Sequence, residues 1–527
     1  MRTAPTERRE RMHVAHWLSD AVRRYPSATA VRDRSGAHTY RSLEADTHNV
    51  QRALQEAGLL AGDRVAVVGR NSALSIAIFF ACARAGWVYV PLSFRLTSAE
   101  LARALEWVDP AIVVVDNEFV DRLPVGANRV TQGALREESA LLIIRGREPR
   151  RAPGRGLSDG AGLRSVDAAL LMVATSGTSR APKYAVLSHR QCWWANVMLA
   201  DVFPIGPGDV VLGIMPQHHV GGWNAFTLRA LQVGATLILP AGFREDDVLR
   251  SLEHDGVSAM MGVPTHYQRL AAHSSFDGRD LTGLTTALVG GAPTPFAVRR
   301  RWRSRGVVLR EGYGLTEAGP HVLIEDAVST ASTQTTWFVP YPHVEVRITG
   351  LETDTVISGP GVGELAVRSP AVFTGYFRDD EATRRARPDG WLRTGDRVER
   401  DSHGRYRVID RLNDIIISGG ENVSPAEIES IIATHRDVRD VVVMGVADER
   451  WGEVPVALVV WAADASVDVA QELRALCREH LAAFKVPAHV HVIDALPRTE
   501  LGKARRSAAR AMFDAARAAG SVGATTQ

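Results

Sequence analysis

Short apolar runs alternate with longer amphipathic stretches through most of this 527-residue chain, and that alternation constrains the fold more than any other feature. Residues 64–68, 111–115, 169–174, 209–214, 236–239 and 286–289 are runs of strand length. Most are followed by a polar or glycine-bearing turn and then a stretch of helical length. Strands alternating with helices build α/β architecture with largely parallel sheets. The longest apolar run, residues 73–92, contains Arg84 and Gly86 and follows the short run 65–68. Its length and its charge predict strand, helix, strand rather than a membrane span. From about residue 337 to 409 the pattern changes to short strands and glycine turns, which predicts a β-rich subdomain. After Asp410-Arg411 a smaller α+β unit begins, with helices expected at 425–434 and 469–481 and strands at 441–445 and 456–461. A last helix is expected over 505–519. The expected organisation is a large N-terminal domain, residues 1–410, of stacked α/β subdomains plus a β-rich subdomain, followed by a small C-terminal α+β domain, residues 411–527. Residues 146–162, rich in Arg, Gly and Pro, read as an exposed connection.

Composition adds bounds. A chain of this length exceeds one ordinary core. The 62 basic and 60 acidic residues leave a net charge of +2, which gives no reason to propose a nucleic-acid surface. Cys82, Cys192 and Cys477 are odd in number and far apart. They make neither a disulfide framework nor a zinc spacing, so a reducing, cytoplasmic setting is expected. No apolar stretch follows Arg2, Arg8, Arg9 and Arg11, so the N-terminus does not read as a secretory signal. Only Lys183, Lys485 and Lys503 are lysines; every other basic residue is arginine. A surviving lysine is a candidate for a site that needs a compact ammonium rather than a planar fork.

The first of these lysines closes a glycine-bearing loop. The apolar run 169–174 leads into Thr175-Ser176-Gly177-Thr178-Ser179-Arg180-Ala181-Pro182-Lys183. Hydroxyls, backbone N–H groups and a terminal ammonium after a buried strand can wrap an anion. Taken alone, the same residues serve equally as a plain polar turn. They do not match the P-loop NTPase signature, because no Gly-Lys-Ser/Thr triplet follows. The loop resembles the phosphate-binding loop of the adenylate-forming superfamily, which includes acyl- and aryl-CoA synthetases, luciferases and peptide-synthetase adenylation domains. It departs from the usual Thr-Ser-Gly-Thr-Thr-Gly-x-Pro-Lys-Gly at Ser179, Arg180 and Tyr184. Loss of two glycines stiffens the loop.

Further segments carry the resemblance from about Tyr40 to Arg505. Pro216-Gln217-His218-His219-Val220-Gly221-Gly222 is similar to the family's Pro-x-x-His-x-x-Gly, which implies that His219 borders the acyl carboxylate. Gly262-Val263-Pro264-Thr265 and Gly290-Gly291-Ala292-Pro293 resemble the acyl-pocket wall and the adenine shelf. Glu311-Gly312-Tyr313-Gly314-Leu315-Thr316-Glu317 is similar to Tyr-Gly-x-Thr-Glu. The match implies that Tyr313 stacks on adenine, Thr316 contacts phosphate and Glu317 binds Mg²⁺, a hard cation that takes carboxylate and phosphate oxygens. Asp396, in Trp391-Leu392-Arg393-Thr394-Gly395-Asp396, and Arg411 match the pair that holds the ribose hydroxyls. Ser418-Gly419-Gly420-Glu421-Asn422 resembles the small-domain segment that lines the pantetheine tunnel of CoA ligases. Pro497-Arg498-Thr499-Glu500-Leu501-Gly502-Lys503 resembles the ending whose lysine is catalytic in adenylation. All three lysines thus fall in family motifs, with Lys485 a candidate for a structural role.

What the resemblance implies is an enzyme that attacks the α-phosphorus of ATP with a carboxylate, releases pyrophosphate, and passes the acyl group from the adenylate to coenzyme A. In the family the small domain then rotates about a hinge residue, here Asn413 where relatives have Lys or Asp. Trp223, Phe226, His266 and residues 318–321 are expected to border the acyl pocket, and they suit an aromatic or medium-chain apolar acid. The altered loop and hinge keep a second acceptor class open: a carrier-protein thiol, an amine, or nitrite activation for modification of an aromatic amine. A non-catalytic nucleotide binder is disfavoured by the retention of Thr316, Glu317, Asp396 and Lys503. Nothing in the sequence fixes the oligomeric state.

Overall fold

The computed structural model describes residues 12–123, 139–142, 165–175, 183–327, 335–351, 353, 355–414, 416–418, 421–448, 451–462, 468–499 and 504–518. The chain packs as two compact units. One comprises Met1–Ile324, Pro340–Glu345 and Arg368–Leu392; the other comprises Glu325–Val339, Val346–Val367 and Arg393–Gln527. The expected connection over 146–162 lies outside the described residues.

The first unit holds two sheets. In one, Arg64–Val68 runs parallel to both Val88–Leu92 and Ile112–Asp116. Val88–Leu92 continues in parallel to Ala169–Thr175, which turns back antiparallel into Lys183–Ser188. The other sheet places Thr286–Gly290 between Ala259–Gly262 and Leu309–Leu315, all parallel, with Gly319–Glu325 returning antiparallel at its side. The long apolar run resolves as expected. Ala73–Ala85 is a helix capped by the Ser72 hydroxyl, and it ends where Gly86 takes φ 71°. Such a left-handed C-cap suits glycine, which has no Cβ to clash. Residues from Ile76 to Ala83 are all buried, so this helix is apolar on every side because it lies within the core. Among the described residues no helix is long and apolar enough to cross a membrane.

The β-rich stretch is present but does not stay together. Its two-residue strand Gly375–Tyr376 pairs antiparallel with Lys183–Ser188 in the first unit. Backbone bonds from Thr374 N to the Val186 carbonyl (2.9 Å) and from Phe377 N to the Tyr184 carbonyl (2.8 Å) extend that pairing. An open strand edge is satisfied in this way, and a glycine turn that looked local in sequence becomes a long-range contact.

In the second unit, Leu392–Arg400 pairs antiparallel with Tyr406–Arg411. Val438–Asp448 and Gly452–Trp461 form a long hairpin, and His489–Val492 joins it in parallel. Side chains of the hairpin alternate between two apolar layers, as a period of two requires. Val443, Ala457 and Val459 face the helices Pro425–Ile432 and Val469–His480, whereas Val442, Met444 and Val456 pack on Ala509 and Phe513 of Arg506–Ala518. The three cysteines are free and buried.

Candidate functional site

In the first unit the phosphate-loop candidate joins two antiparallel strands, Ala169–Thr175 and Lys183–Ser188. Thr175 and Lys183 are register partners at the ends of their strands, which holds the lysine at the loop's exit. Ser176, Gly177 and Thr178 lie outside the described residues. His219 caps the short helix Val220–Asn224 in extended backbone, its N–H bonded to the Pro216 carbonyl at 3.1 Å. His218 beside it is buried and packs edge-on to Phe94, with ring centroids 6.2 Å apart.

Gly290 and Gly312 are neighbours across parallel strands, and Val289 pairs with Glu311. This register brings the expected adenine shelf and the Tyr-Gly-x-Thr-Glu segment side by side. Gly291 turns the chain with φ 89°, leading into Ala292 and Pro293. The buried Glu311 carboxylate then accepts from Thr294 N at 3.3 Å, which ties the turn to the strand. Gly314 is fixed by close approach: a Cβ there would sit 2.4 Å from the Pro320 carbonyl oxygen. Tyr313 lies in the strand Leu309–Leu315, and Thr316 and Glu317 begin the turn that follows.

Glu317 has a partner that sequence reading missed. The Tyr376 hydroxyl donates to Glu317 Oε1 at 2.8 Å. The Lys183 ammonium stands over the same ring, 5.1 Å from its centroid, a cation–π arrangement. Phe373 N donates to the Glu317 carbonyl at 2.8 Å, and the Phe373 ring packs edge-on to Tyr376. Burial and then the adjacent Glu317 carboxylate hold the Tyr376 phenol well above its ordinary value, so it stays protonated and donating. One tyrosine therefore bridges the loop lysine and the motif carboxylate. The Gly-Tyr pair is visible in the sequence, but nothing local links it to a residue 59 positions earlier.

Residues expected around the acyl pocket divide between packing and polar roles. Trp223 is fully buried, stacked on Phe79 at 4.4 Å and edge-on to Tyr89. Phe226 packs on Phe203, and His266 stacks on Phe243 at 4.4 Å. His321 is buried, with Nε2 facing the Asn224 carbonyl at 3.0 Å.

In the second unit, Asp396 and Arg411 are register partners of the Leu392–Arg400 hairpin. Arg411 Nε donates to Asp396 Oδ1 at 3.2 Å. Asp396 is buried, and its N–H is held by the Thr394 hydroxyl at 3.1 Å. Ser418 ends the buried strand Ile416–Ser418 and pairs with Gly452. Gly419, Gly420 and Lys503 lie outside the described residues. The flanks of Lys503 are close: Arg498 and Ala504 form an antiparallel bridge, and Arg505 N donates to the Pro497 carbonyl at 2.8 Å. Lys485 Nζ bonds both oxygens of Glu427 at 2.8 Å. This small-domain lysine thus makes a structural ion pair.

Residues 18–377 match the AMP-binding enzyme family, and residues 427–503 match the AMP-binding enzyme C-terminal domain. The chain belongs to the AMP-binding enzyme family. A feruloyl-CoA synthase from Amycolatopsis sp is 36% identical over 498 residues, covering 94% of this chain and 98% of that one. An indoleacetate–CoA ligase from Aromatoleum aromaticum is 33% identical over 513 residues, covering 95% and 98%. The crystal structure of ATP-bound MatB from Rhodopseudomonas palustris superposes with a TM-score of 0.82 at 27% identity, covering 95% of this chain and 99% of that one.

The donor set of this AMP-binding enzyme suits Mg²⁺ chemistry. Mg²⁺ keeps most of its waters and takes one or two carboxylates plus substrate phosphates, rather than a closed protein cage. Among the described residues no group of three or more acidic, histidine or cysteine side chains is assembled to hold a metal. A single half-buried carboxylate, Glu317, oriented by a phenol on one oxygen, fits the first mode.

Proposed function

We propose that this AMP-binding enzyme is an AMP-forming acid–thiol ligase that activates an aromatic carboxylic acid and transfers it to coenzyme A. A carboxylate oxygen attacks the α-phosphorus of ATP; the new P–O bond forms as the bond to pyrophosphate breaks. The CoA sulfur then attacks the acyl carbonyl, its proton is lost, and AMP leaves. The difficulty of the first step is the approach of two anions, so positive charge fixed where negative charge grows is the main contribution. Lys183 and the Thr175–Lys183 loop face the phosphates, and Lys503 supplies a compact charge at the reacting centre. Tyr313 and the Gly291-Ala292-Pro293 turn take the adenine, and Asp396 with Arg411 takes the ribose. Thr316 contacts phosphate. Glu317 would hold Mg²⁺, which would neutralise phosphate charge. His219 borders the acid's carboxylate, and the Ser418-Gly419-Gly420 segment receives the thiol.

The observation that carries this reading is the Lys183–Tyr376–Glu317 bridge. It joins the anion loop to the motif carboxylate within one packed unit. The aromatic class draws on the ferulate and indoleacetate ligases that resemble this chain. Three free cysteines support a reducing compartment, the cytoplasm. Ser179, Arg180 and Asn413 depart from the family pattern and favour, as a second reading, a non-CoA acceptor. Purified protein with ATP, Mg²⁺ and a panel of aryl and fatty acids, each with and without CoA, separates the two. Acid-dependent pyrophosphate release with a mass-confirmed CoA thioester supports the ligase. Release that ignores CoA, or none with any acid, refutes it.

A further inference from the structure

The chain on either side of Lys503 is drawn together and fastened to one strand. Arg498 and Ala504 form an antiparallel bridge, and Arg505 N donates to the Pro497 carbonyl at 2.8 Å. Arg498 forks onto Asp440 of the strand Val438–Asp448, with Nε donating to Oδ2 at 2.8 Å and Nη2 donating to Oδ1. Just after Lys503, Arg506 opens the helix Arg506–Ala518 and reaches the same strand, its Nε donating to the Val443 carbonyl at 3.0 Å.

The rest of the Arg506 guanidinium joins two other elements. Nη2 donates to Glu429 Oε1 at 2.8 Å, on the helix Pro425–Ile432. Nη1 donates to Asp414 Oδ2 at 3.1 Å, in the turn Leu412–Asp414. The same Glu429 oxygen accepts from Val443 N at 2.8 Å, so arginine, carboxylate and strand backbone close a ring. All of these groups belong to one compact unit. The Arg506, Asp414 and Glu429 side chains are each 22–23% exposed, which spares their bonds much of the screening that weakens surface pairs. A planar guanidinium presents its donors in fixed, divergent directions; one ammonium cannot serve the same three acceptors at once. The helix itself gains nothing from this residue. A cation in the first turn opposes the helix dipole, and this first turn holds no acidic residue to offset it.

We propose that Arg506 is a positioning residue for the adenylation step: one guanidinium joins the turn Leu412–Asp414, the helix Pro425–Ile432 and the strand Val438–Asp448, and so fixes the base of the segment that carries Lys503. This rests on the acid-activation reading given above, in which Lys503 supplies the compact charge. Arg506 acts through that lysine. A misplacement of about 1 Å can cost about 10²-fold in rate. The Arg498 fork and the packing of Ala509 and Phe513 keep part of the placement, so loss of the Arg506 bonds should cost about tenfold.

The test is a double-mutant cycle on the single-turnover rate of acyl-AMP formation, with the parental protein, Arg506→Lys, Lys503→Ala and the two combined. Arg506→Lys keeps a positive charge beside Asp414 and Glu429, which favours folding, but loses the three-way geometry; Arg506→Gln repeats the cycle without the charge. Either change should slow adenylation by about tenfold and leave KM for ATP within about twofold. In the Lys503→Ala background the same change should cost less than about twofold further, because the group it positions is gone. Conversion of supplied acyl-AMP and CoA to the thioester, assigned to the Ser418-Gly419-Gly420 segment of the same unit, should stay within about twofold of the parental rate. Parental adenylation in both Arg506 variants overturns the proposal. So does a full further loss in the Lys503→Ala background, or an equal loss in both steps, since the arginine then only supports the fold. Failure of every acid in the parental protein instead removes the acid-activation reading, and this proposal with it.

Discussion

Replacing Tyr376 by Phe removes one oxygen from the bridge between Lys183 and Glu317 and leaves the ring in place. The lost bond, 2.8 Å from the phenol to Glu317 Oε1, has a charged acceptor. Such bonds contribute roughly 1.5–3 kcal/mol net, and each 1.4 kcal/mol is about a factor of ten in rate. Both partners are only half-buried, so water can take the vacated place. That discount puts the expected loss near the lower end, about tenfold in the single-turnover rate of adenylate formation. The loss should be accompanied by a higher Mg²⁺ concentration for half-maximal rate, because the carboxylate that would hold the ion has lost the group orienting it. Stability should move little. Packing on Phe373 and the Lys183 contact with the ring are kept, so the melting midpoint should shift by less than about 2 °C. The assay is quenched-flow detection of acyl-AMP over a Mg²⁺ series, with a thermal melt of the same preparation. An unchanged rate and an unchanged Mg²⁺ dependence would refute the reasoning. A large drop in melting midpoint would show instead that the tyrosine only holds the fold.

Lys503→Ala should slow adenylation by about 10²-fold or more, and Lys503→Arg should not restore it, because a planar fork does not replace a compact ammonium; a parental rate of acyl-AMP formation in either variant would refute this. Asp396→Asn keeps the shape but weakens charge-assisted bonds to the ribose and to Arg411. It should raise KM for ATP by about tenfold with a smaller effect on kcat, as a loss of ground-state binding does; an unchanged KM would count against the ribose role. His266 is pushed down to about 4, mainly by burial, from an ordinary 6.5. The unfolded chain therefore binds the extra proton first, and stability falls as pH drops from about 6.5 to about 4, by roughly 1.4 kcal/mol per pH unit. His266→Phe should remove that part of the slope in urea titrations between pH 7 and pH 4.5, and an identical slope in both proteins would refute it. Comparison with the variant isolates the histidine, since buried Asp410 and Glu429, held above the ordinary carboxylate value, pull in the opposite direction.

The sequence by itself determined the α/β class, the order of the elements and the family. The strand–helix–strand reading of residues 73–92 followed from chain-local facts, the length of the run and the charge and glycine inside it, and the structure has the helix ending at Gly86. The pairing of Asp396 with Arg411 was also accessible, because the two flank one hairpin. The tertiary structure alone decided which distant residues meet. Tyr376 reaches Glu317 only because Gly375–Tyr376 docks on the strand Lys183–Ser188, and strand register depends on the whole sheet. Trp223, expected at the pocket, packs against Phe79 and Tyr89, partners that its own segment does not announce. Arg506 meets Asp414 and Glu429 from a distant segment, with no pattern in any of them to announce the others. Periodicity and turn chemistry are properties of neighbouring residues, so a sequence displays them directly. Hydrogen-bond partners across a core are fixed by packing that no short stretch of chain contains.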